Sequence, residues 1–188
     1  MIKQLIFVRH GQSEANAARV YAGARAEIQL TELGRQQAEE VGAVLKAKRI
    51  GCIISSDFDR AQSTAKIIAT EIGFAKEDII TDTRLHEINV GELTGKPDRG
   101  FPAYLDYAST GQDINAETPE EVESRLRPFL DSLSDVEEEI VLIVAHAGIG
   151  RVLRSMLTGV DIQVLAKIDI PNAKPMYLPL EHLMKERT

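Results

Sequence analysis

Three short apolar runs, each ending in residues able to do chemistry, constrain this chain more than anything else in it. Leu5-Ile6-Phe7-Val8 runs straight into Arg9-His10-Gly11. Ile50 to Ile54 ends in Ser55-Ser56-Asp57, with Arg60 close behind. Ile140 to Ala145, the most apolar run, delivers His146-Ala147-Gly148. Runs this short and this rich in β-branched residues suit buried strands. Helix-period segments lie between them, so strand and helix alternate. That order predicts an α/β fold, three-layer α/β/α, with a mostly parallel central sheet and helices on both faces. Strands of such a sheet share one C-terminal edge, and ligands bind in the crevice outside it.

The intervening helices carry their own start and stop signals. Thr31 can cap a helix with apolar positions Leu33, Ala38, Val41 and Leu45. Ala61, Thr64, Ala65, Ile68 and Ile72 mark a second, stopped by Gly73. Thr118-Pro119-Glu120-Glu121 reads as a capping box with proline at the first helical position, and Pro128 is expected to bend or end that helix. A further helix follows His146 and closes at Gly159. Gln12 to Gly23 reads as a loop with a helical turn, and Ile79-Ile80 as a short strand leading to Leu85-His86-Glu87. Asn89 to Asp113 is rich in glycine and proline and reads as an inserted lid with a short helix near Tyr104; its outer bounds are about 89–117. The tail from Asp161 holds three prolines and is expected to give an edge strand and a frayed end, with His182 on the surface.

The chain has 188 residues, enough for one domain with a real core, and no linker divides it, so residues 1–188 are read as a single domain. The net charge of −7 argues against nucleic acid as a partner, and it means that an anionic ligand needs a locally basic pocket. A single cysteine, Cys52, excludes an intrachain disulfide. With no signal-peptide pattern and no apolar run near ~20 residues, a cytoplasmic protein without a membrane partner is expected. The tail and the lid each offer a surface on which a homodimer could form.

The expected sheet edge gathers Arg9 and His10, Ser56 to Arg60, His86-Glu87, and His146. Two arginines and two histidines in one crevice make an anion site, since the arginine fork matches phosphate oxygens with paired hydrogen bonds. The helix after His146 adds N-terminal N–H groups. In that field an imidazole with one free ring nitrogen can attack phosphorus, and Glu87 can protonate a leaving oxygen and then activate water. His10, His146 and Glu87 could ligate a metal on residue type, but their spacing fits no compact motif and the arginines would repel a cation. No metal or cofactor is expected.

These residues occur in blocks whose order resembles the histidine phosphatase superfamily, the phosphoglycerate mutase-like proteins. Arg9-His10-Gly11 with Ser13 and Asn16 is similar to the family's opening motif, and Leu30-Thr31 with Gly34 and Ala38 to the helix start that follows. Ser56-Asp57-Phe58-Asp59-Arg60-Ala61 with Thr64-Ala65, then Leu85-His86-Glu87 with Gly91 and Gly95, then Val144 to Gly148 with Arg151, are similar to its remaining blocks. The resemblance implies that His10 is the phosphorylated nucleophile and Glu87 the proton donor. It implies that Arg9, Arg60 and His146 hold the phosphoryl group, with Asn16 assisting. Ala147, standing for the usual glycine, still offers its backbone N–H; Arg19 is the better candidate of the two arginines in the loop region for a substrate contact, ahead of Arg25. Lys96 and Arg99 in the lid read as solvated charges. Departures at Ala24, Glu27 and Leu93-Thr94 fall on the expected pocket rim and bear on substrate choice.

The expected activity is hydrolysis of a small phosphorylated metabolite without a metal. A phosphomutase and a phosphoprotein phosphatase are the alternatives. The segment between Glu87 and Thr118 is modest, and an open site admits water to a phosphohistidine.

Overall fold

A computed structural model describes residues 1–111 and 115–180. His182 and the Gln112-Asp113 end of the expected lid lie outside the described residues. In chain order the elements are β1 (Gln4–Arg9), α1 (Glu14–Ala18), α2 (Glu32–Leu45), β2 (Cys52–Ser55), α3 (Asp59–Ile72) and β3 (Ile80–Thr81). They continue with α4 (Phe101–Ser109), α5 (Pro119–Ser132), β4 (Ile140–Ala145), α6 (Ala147–Thr158), α7 (Ile162–Leu165) and β5 (Pro175–Leu178). One five-stranded sheet runs β3-β2-β4-β1-β5, parallel except for β5. The fold is therefore mixed α/β, with β4 in the middle, as its unbroken apolar run requires.

Successive residues of each strand serve opposite faces, so the sheet is covered twice. Ile6, Val8, Ile53, Leu142 and Val144 pack with Val41 and Leu45 of α2 and Ala61, Ala65 and Ile68 of α3. Leu5, Phe7, Ile54, Val141 and Ile143 pack with Val122, Leu126 and Phe129 of α5 and Ile149, Val152 and Leu153 of α6. The register sets β1 beside β4 with Arg9 opposite Ala145, and β2 beside β4 with Ser55 opposite Val144. The residues that follow, His10, Ser56 and His146, consequently leave the sheet at one level.

Two details of the helices differ from expectation. Leu33 is 48% exposed; the buried positions of α2 are Gly34, Ala38, Val41, Gly42 and Leu45, one helix face that Leu33 lies off. α5 continues through Pro128, which lies on the exposed face, where the Ser124 carbonyl it leaves unpaired can be hydrated. Gly11 does not adopt a left-handed φ. It is glycine because a Cβ there would stand 2.2 Å from the Gly34 carbonyl oxygen, and a Cβ on Gly34 would stand 2.0 Å from that of Gln12. The tail gives the expected edge strand: β5 pairs antiparallel with β1 at Leu5↔Leu178 through Val8↔Pro175, and the short helix α7, which was not expected, precedes it.

Candidate active site

The loop after β1 is fixed from two sides. Thr31 caps α2 through the Gly34 N–H, and both its own N–H and its hydroxyl bond to Gln12. From α3, Thr64 Oγ1 accepts the Gly11 N–H at 3.0 Å and donates to the Arg60 carbonyl at 2.7 Å. The threonine is one turn beyond the arginine, so a single helix face supplies both the brace and the cation.

His10 is 3% exposed, and its Nδ1 lies 2.7 Å from the Gly11 carbonyl oxygen. A carbonyl only accepts, so Nδ1 carries the proton and Nε2 keeps its lone pair. Burial, then the neighbouring Arg60 and Arg9 charges, hold the imidazole well below its usual pKa, which keeps it neutral. His146 is fully buried, with ring centroids 5.2 Å from His10, and burial followed by Arg60 lowers its pKa in the same way. Its Nε2 meets Ser56 Oγ at 2.9 Å.

Among the described residues, the buried side-chain nitrogens without a hydrogen-bond partner are Arg9 Nε, Arg60 Nε, His146 Nδ1 and Arg151 Nε. All belong to this one neighbourhood. Buried donors are ordinarily paired, and each unpaired one costs about 1–3 kcal/mol. Each guanidinium is also anchored to a backbone carbonyl through a terminal nitrogen. Arg60 Nη1 bonds to the Arg25 carbonyl at 2.7 Å, Arg9 Nη1 to that of Ile170 at 2.8 Å, and Arg151 Nη2 to that of Ile168 at 3.0 Å. Burial pulls Arg60 down to about 10, which still leaves it charged at neutral pH.

These groups border a cavity of ≈ 240 Å³ at the C-terminal edge of the sheet. Arg9, His10, Asn16, Arg60, Glu87 and Ala147 line it. Asn16 Oδ1 accepts from the Ser13 N–H and from Asn172 Nδ2, both at 3.2 Å, which leaves the Asn16 amide nitrogen as a donor. Glu87 sits against the start of α6: Oε1 accepts the Ile88 N–H at 3.0 Å and Oε2 that of Gly148 at 3.4 Å. A Cβ on Gly148 would lie 2.6 Å from Glu87 Oε1, so the glycine makes room for the carboxyl. His146 stands behind His10 rather than on the cavity wall, and helix residues Ala147 and Gly148 line it in its place.

Arg19 is a correction: it is exposed, it occupies the left-handed C-cap of α1, and it does not line the cavity. Lys96 and Arg99 do not line it either. Arg151 does; its spacing of one turn from Ala147 on α6 was the signal for it. Asp98, Asp169 and Tyr104 also line the cavity and were not anticipated. No group of three or more histidine, cysteine, aspartate or glutamate side chains among the described residues could hold a metal ion. No described helix is long and apolar enough to cross a membrane.

The family model described as histidine phosphatase superfamily (branch 1) matches residues 5–182. A Hydrogenobacter thermophilus protein named "Putative phosphoserine phosphatase 2" is 32% identical over 92% of this chain and 87% of its own length. A "Probable phosphoglycerate mutase GpmB" of Erwinia tasmaniensis is 33% identical over 90% of this chain and 81% of its own. Among solved structures, mycobacterial glucosyl-3-phosphoglycerate phosphatase with VO3 superposes with a TM-score of 0.75 at 26% identity, covering 93% of this chain and 90% of that one.

Proposed function

The chain belongs to the histidine phosphatase superfamily, whose relatives are named as phosphatases and phosphoglycerate mutases, and from that premise we propose that it hydrolyses small phosphomonoesters through a phosphohistidine on His10. The observation that carries the reading is the set of unpaired buried nitrogens around a neutral imidazole whose free nitrogen is Nε2. A phosphoryl group offers several acceptor oxygens to that set at once.

The reaction runs in two displacements. His10 Nε2 attacks phosphorus; the P–N bond forms, the P–O bond to the alcohol breaks, and Glu87 gives its proton to the departing oxygen. The Glu87 carboxylate then takes a proton from water as that oxygen attacks phosphorus and the P–N bond breaks. Inorganic phosphate leaves and both side chains return to their starting states. Arg9 and Arg60 stabilise the charge spread over the equatorial oxygens, with the Asn16 amide as a neutral donor, while His146 packs behind the attacking imidazole. These fixed cations do the work that a divalent metal does in other phosphoryl-transfer sites.

Hydrolysis is favoured over mutase transfer because the described residues between Glu87 and Thr118 add one short α-helix, α4, to the cavity wall. The decisive experiment is turnover of p-nitrophenyl phosphate with and without chelator, followed by a denaturing quench at alkaline pH, where a P–N bond survives. Chelator-insensitive turnover with phosphorus on His10 is expected. Label on another side chain, or activity that disappears with the metal, overturns the proposal. Phosphoglycerate interconversion faster than phosphate release on the same sample would move it to the mutases.

A further inference from the structure

The cavity changes sign between its floor and its mouth. Three arginines, Arg9, Arg60 and Arg151, line it, and beyond them two exposed aspartates, Asp98 and Asp169, line it as well. Each aspartate is carried on backbone that is itself tied to the site. Asp169 lies between Ile168, whose carbonyl holds Arg151, and Ile170, whose carbonyl holds Arg9. Asp98 accepts the Gly100 N–H at 2.7 Å. Its loop is pinned by Tyr21, whose hydroxyl donates to the Gly100 carbonyl at 2.8 Å and accepts the Arg99 N–H at 3.2 Å. Neither aspartate forms an ion pair among the described residues. Both nonetheless sit close enough to raise the pKa of Arg9 and Arg151, against the larger lowering by burial.

A carboxylate at the mouth of a phosphate site opposes its own substrate unless the substrate brings a positive charge. Once Glu87 is protonated as an acid, the wall carries three positive charges and two negative ones. A phosphomonoester dianion then leaves the filled site with a net negative charge, which one ammonium group cancels. A further carboxylate or phosphate on the substrate, without an ammonium, makes the imbalance worse. The fully buried Arg60, with its unpaired Nε, marks the phosphoryl end of the cavity. The aspartates mark the other end.

We propose that Asp98 and Asp169 select phosphomonoesters of amino alcohols, holding the substrate ammonium while the arginines hold the phosphoryl group. The proposal rests on the phosphatase reading above and adds the substrate class to it. Arg151, beside the aspartates, accommodates a carboxylate on the same carbon skeleton, so amino-acid phosphates belong to the class together with simple amine phosphates.

Matched substrates test it. Phosphoserine and 3-phosphoglycerate differ by an ammonium in place of a hydroxyl, as do phosphoethanolamine and 2-hydroxyethyl phosphate. The expected kcat/KM ratio within each pair is about tenfold in favour of the amine, the size of two solvent-screened charge pairs across a few ångströms. In the double variant Asp98→Asn with Asp169→Asn the ratio falls to near one. Because the ratio is taken within one protein preparation, a general loss of activity cancels. A ratio near one in the natural protein, or a ratio unmoved by the double substitution, overturns the proposal. Phosphate release from p-nitrophenyl phosphate separates the two failures. Release without amine preference removes this inference alone, whereas no release from any of these esters removes the phosphatase reading and this one with it.

Discussion

Lowering the pH from 7.0 to 5.5 should unfold this protein by an amount calculable from two side chains. His10 and His146 are both buried and both held well below the usual histidine pKa, first by burial and then by the arginines beside them. In the unfolded chain each titrates near the reference value of ~6.5. Below that value the unfolded state binds protons that the folded state refuses, so stability falls as the pH falls. The contribution is intact above the unfolded pKa and is lost on the way down to the folded one. For an imidazole that stays neutral in the fold, the step from pH 7.0 to 5.5 costs on the order of 1 kcal/mol, and roughly twice that for the pair. Glu117 and Asp82, both held below the usual carboxylate range despite their burial by Arg125 and Arg84 respectively, keep their contribution until more acid pH. The window therefore belongs to the imidazoles. Urea titrations at the two pH values, in the natural protein and in a His10→Asn/His146→Asn double variant, measure it. The natural protein should lose roughly 2 kcal/mol more than the variant does. Parallel losses in the two proteins would show that the histidines are not held neutral, and the attack geometry built on a free Nε2 would go with them.

Three further outcomes follow from the geometry. Gly148→Ala drives a methyl to within 2.6 Å of Glu87 Oε1; it should slow alkyl phosphates at least about tenfold more than p-nitrophenyl phosphate, whose leaving group needs less protonation, and equal losses on both substrates would count against Glu87 as the acid. Thr64→Val leaves the buried Gly11 N–H without its acceptor and should cost about 1–3 kcal/mol in a urea melt. Orthovanadate at a hundred times its dissociation constant should stabilise the protein by about 2.7 kcal/mol, and Arg60→Gln should abolish most of that gain in the same thermal shift measurement.

The sheet, its partner helices and the inner cup were legible because each is written locally. A short apolar run followed by Arg-His or Ser-Ser-Asp describes a strand and the residues at its end, and parallel pairing does the rest. The outer wall was not legible in that way. Asp98 reaches the cavity through a loop held by Tyr21, far away in sequence, and Asp169 through a segment whose carbonyls are taken by Arg9 and Arg151. Neither has a periodic pattern to announce it. Gly34 illustrates a middle case. Its spacing from Thr31 was visible, but the reason for it, the meeting of two backbones at Gln12, exists only in three dimensions. Arg19 misled because proximity to His10 along the chain was taken for proximity in space, and the left-handed cap of α1 turns the chain away there.

The segment before β5 clasps the end of β1. The Ile170 carbonyl grips Arg9, the Asn172 amide bonds to the His10 carbonyl at 2.8 Å, and the Ala173 N–H bonds to that of Arg9. His10 and Asn172 stand 162 residues apart along the chain, so the backbone that aims the imidazole is held by a segment that arrives only through the fold. Whatever loosens the segment before β5 loosens that aim, even with every side chain of the cup intact.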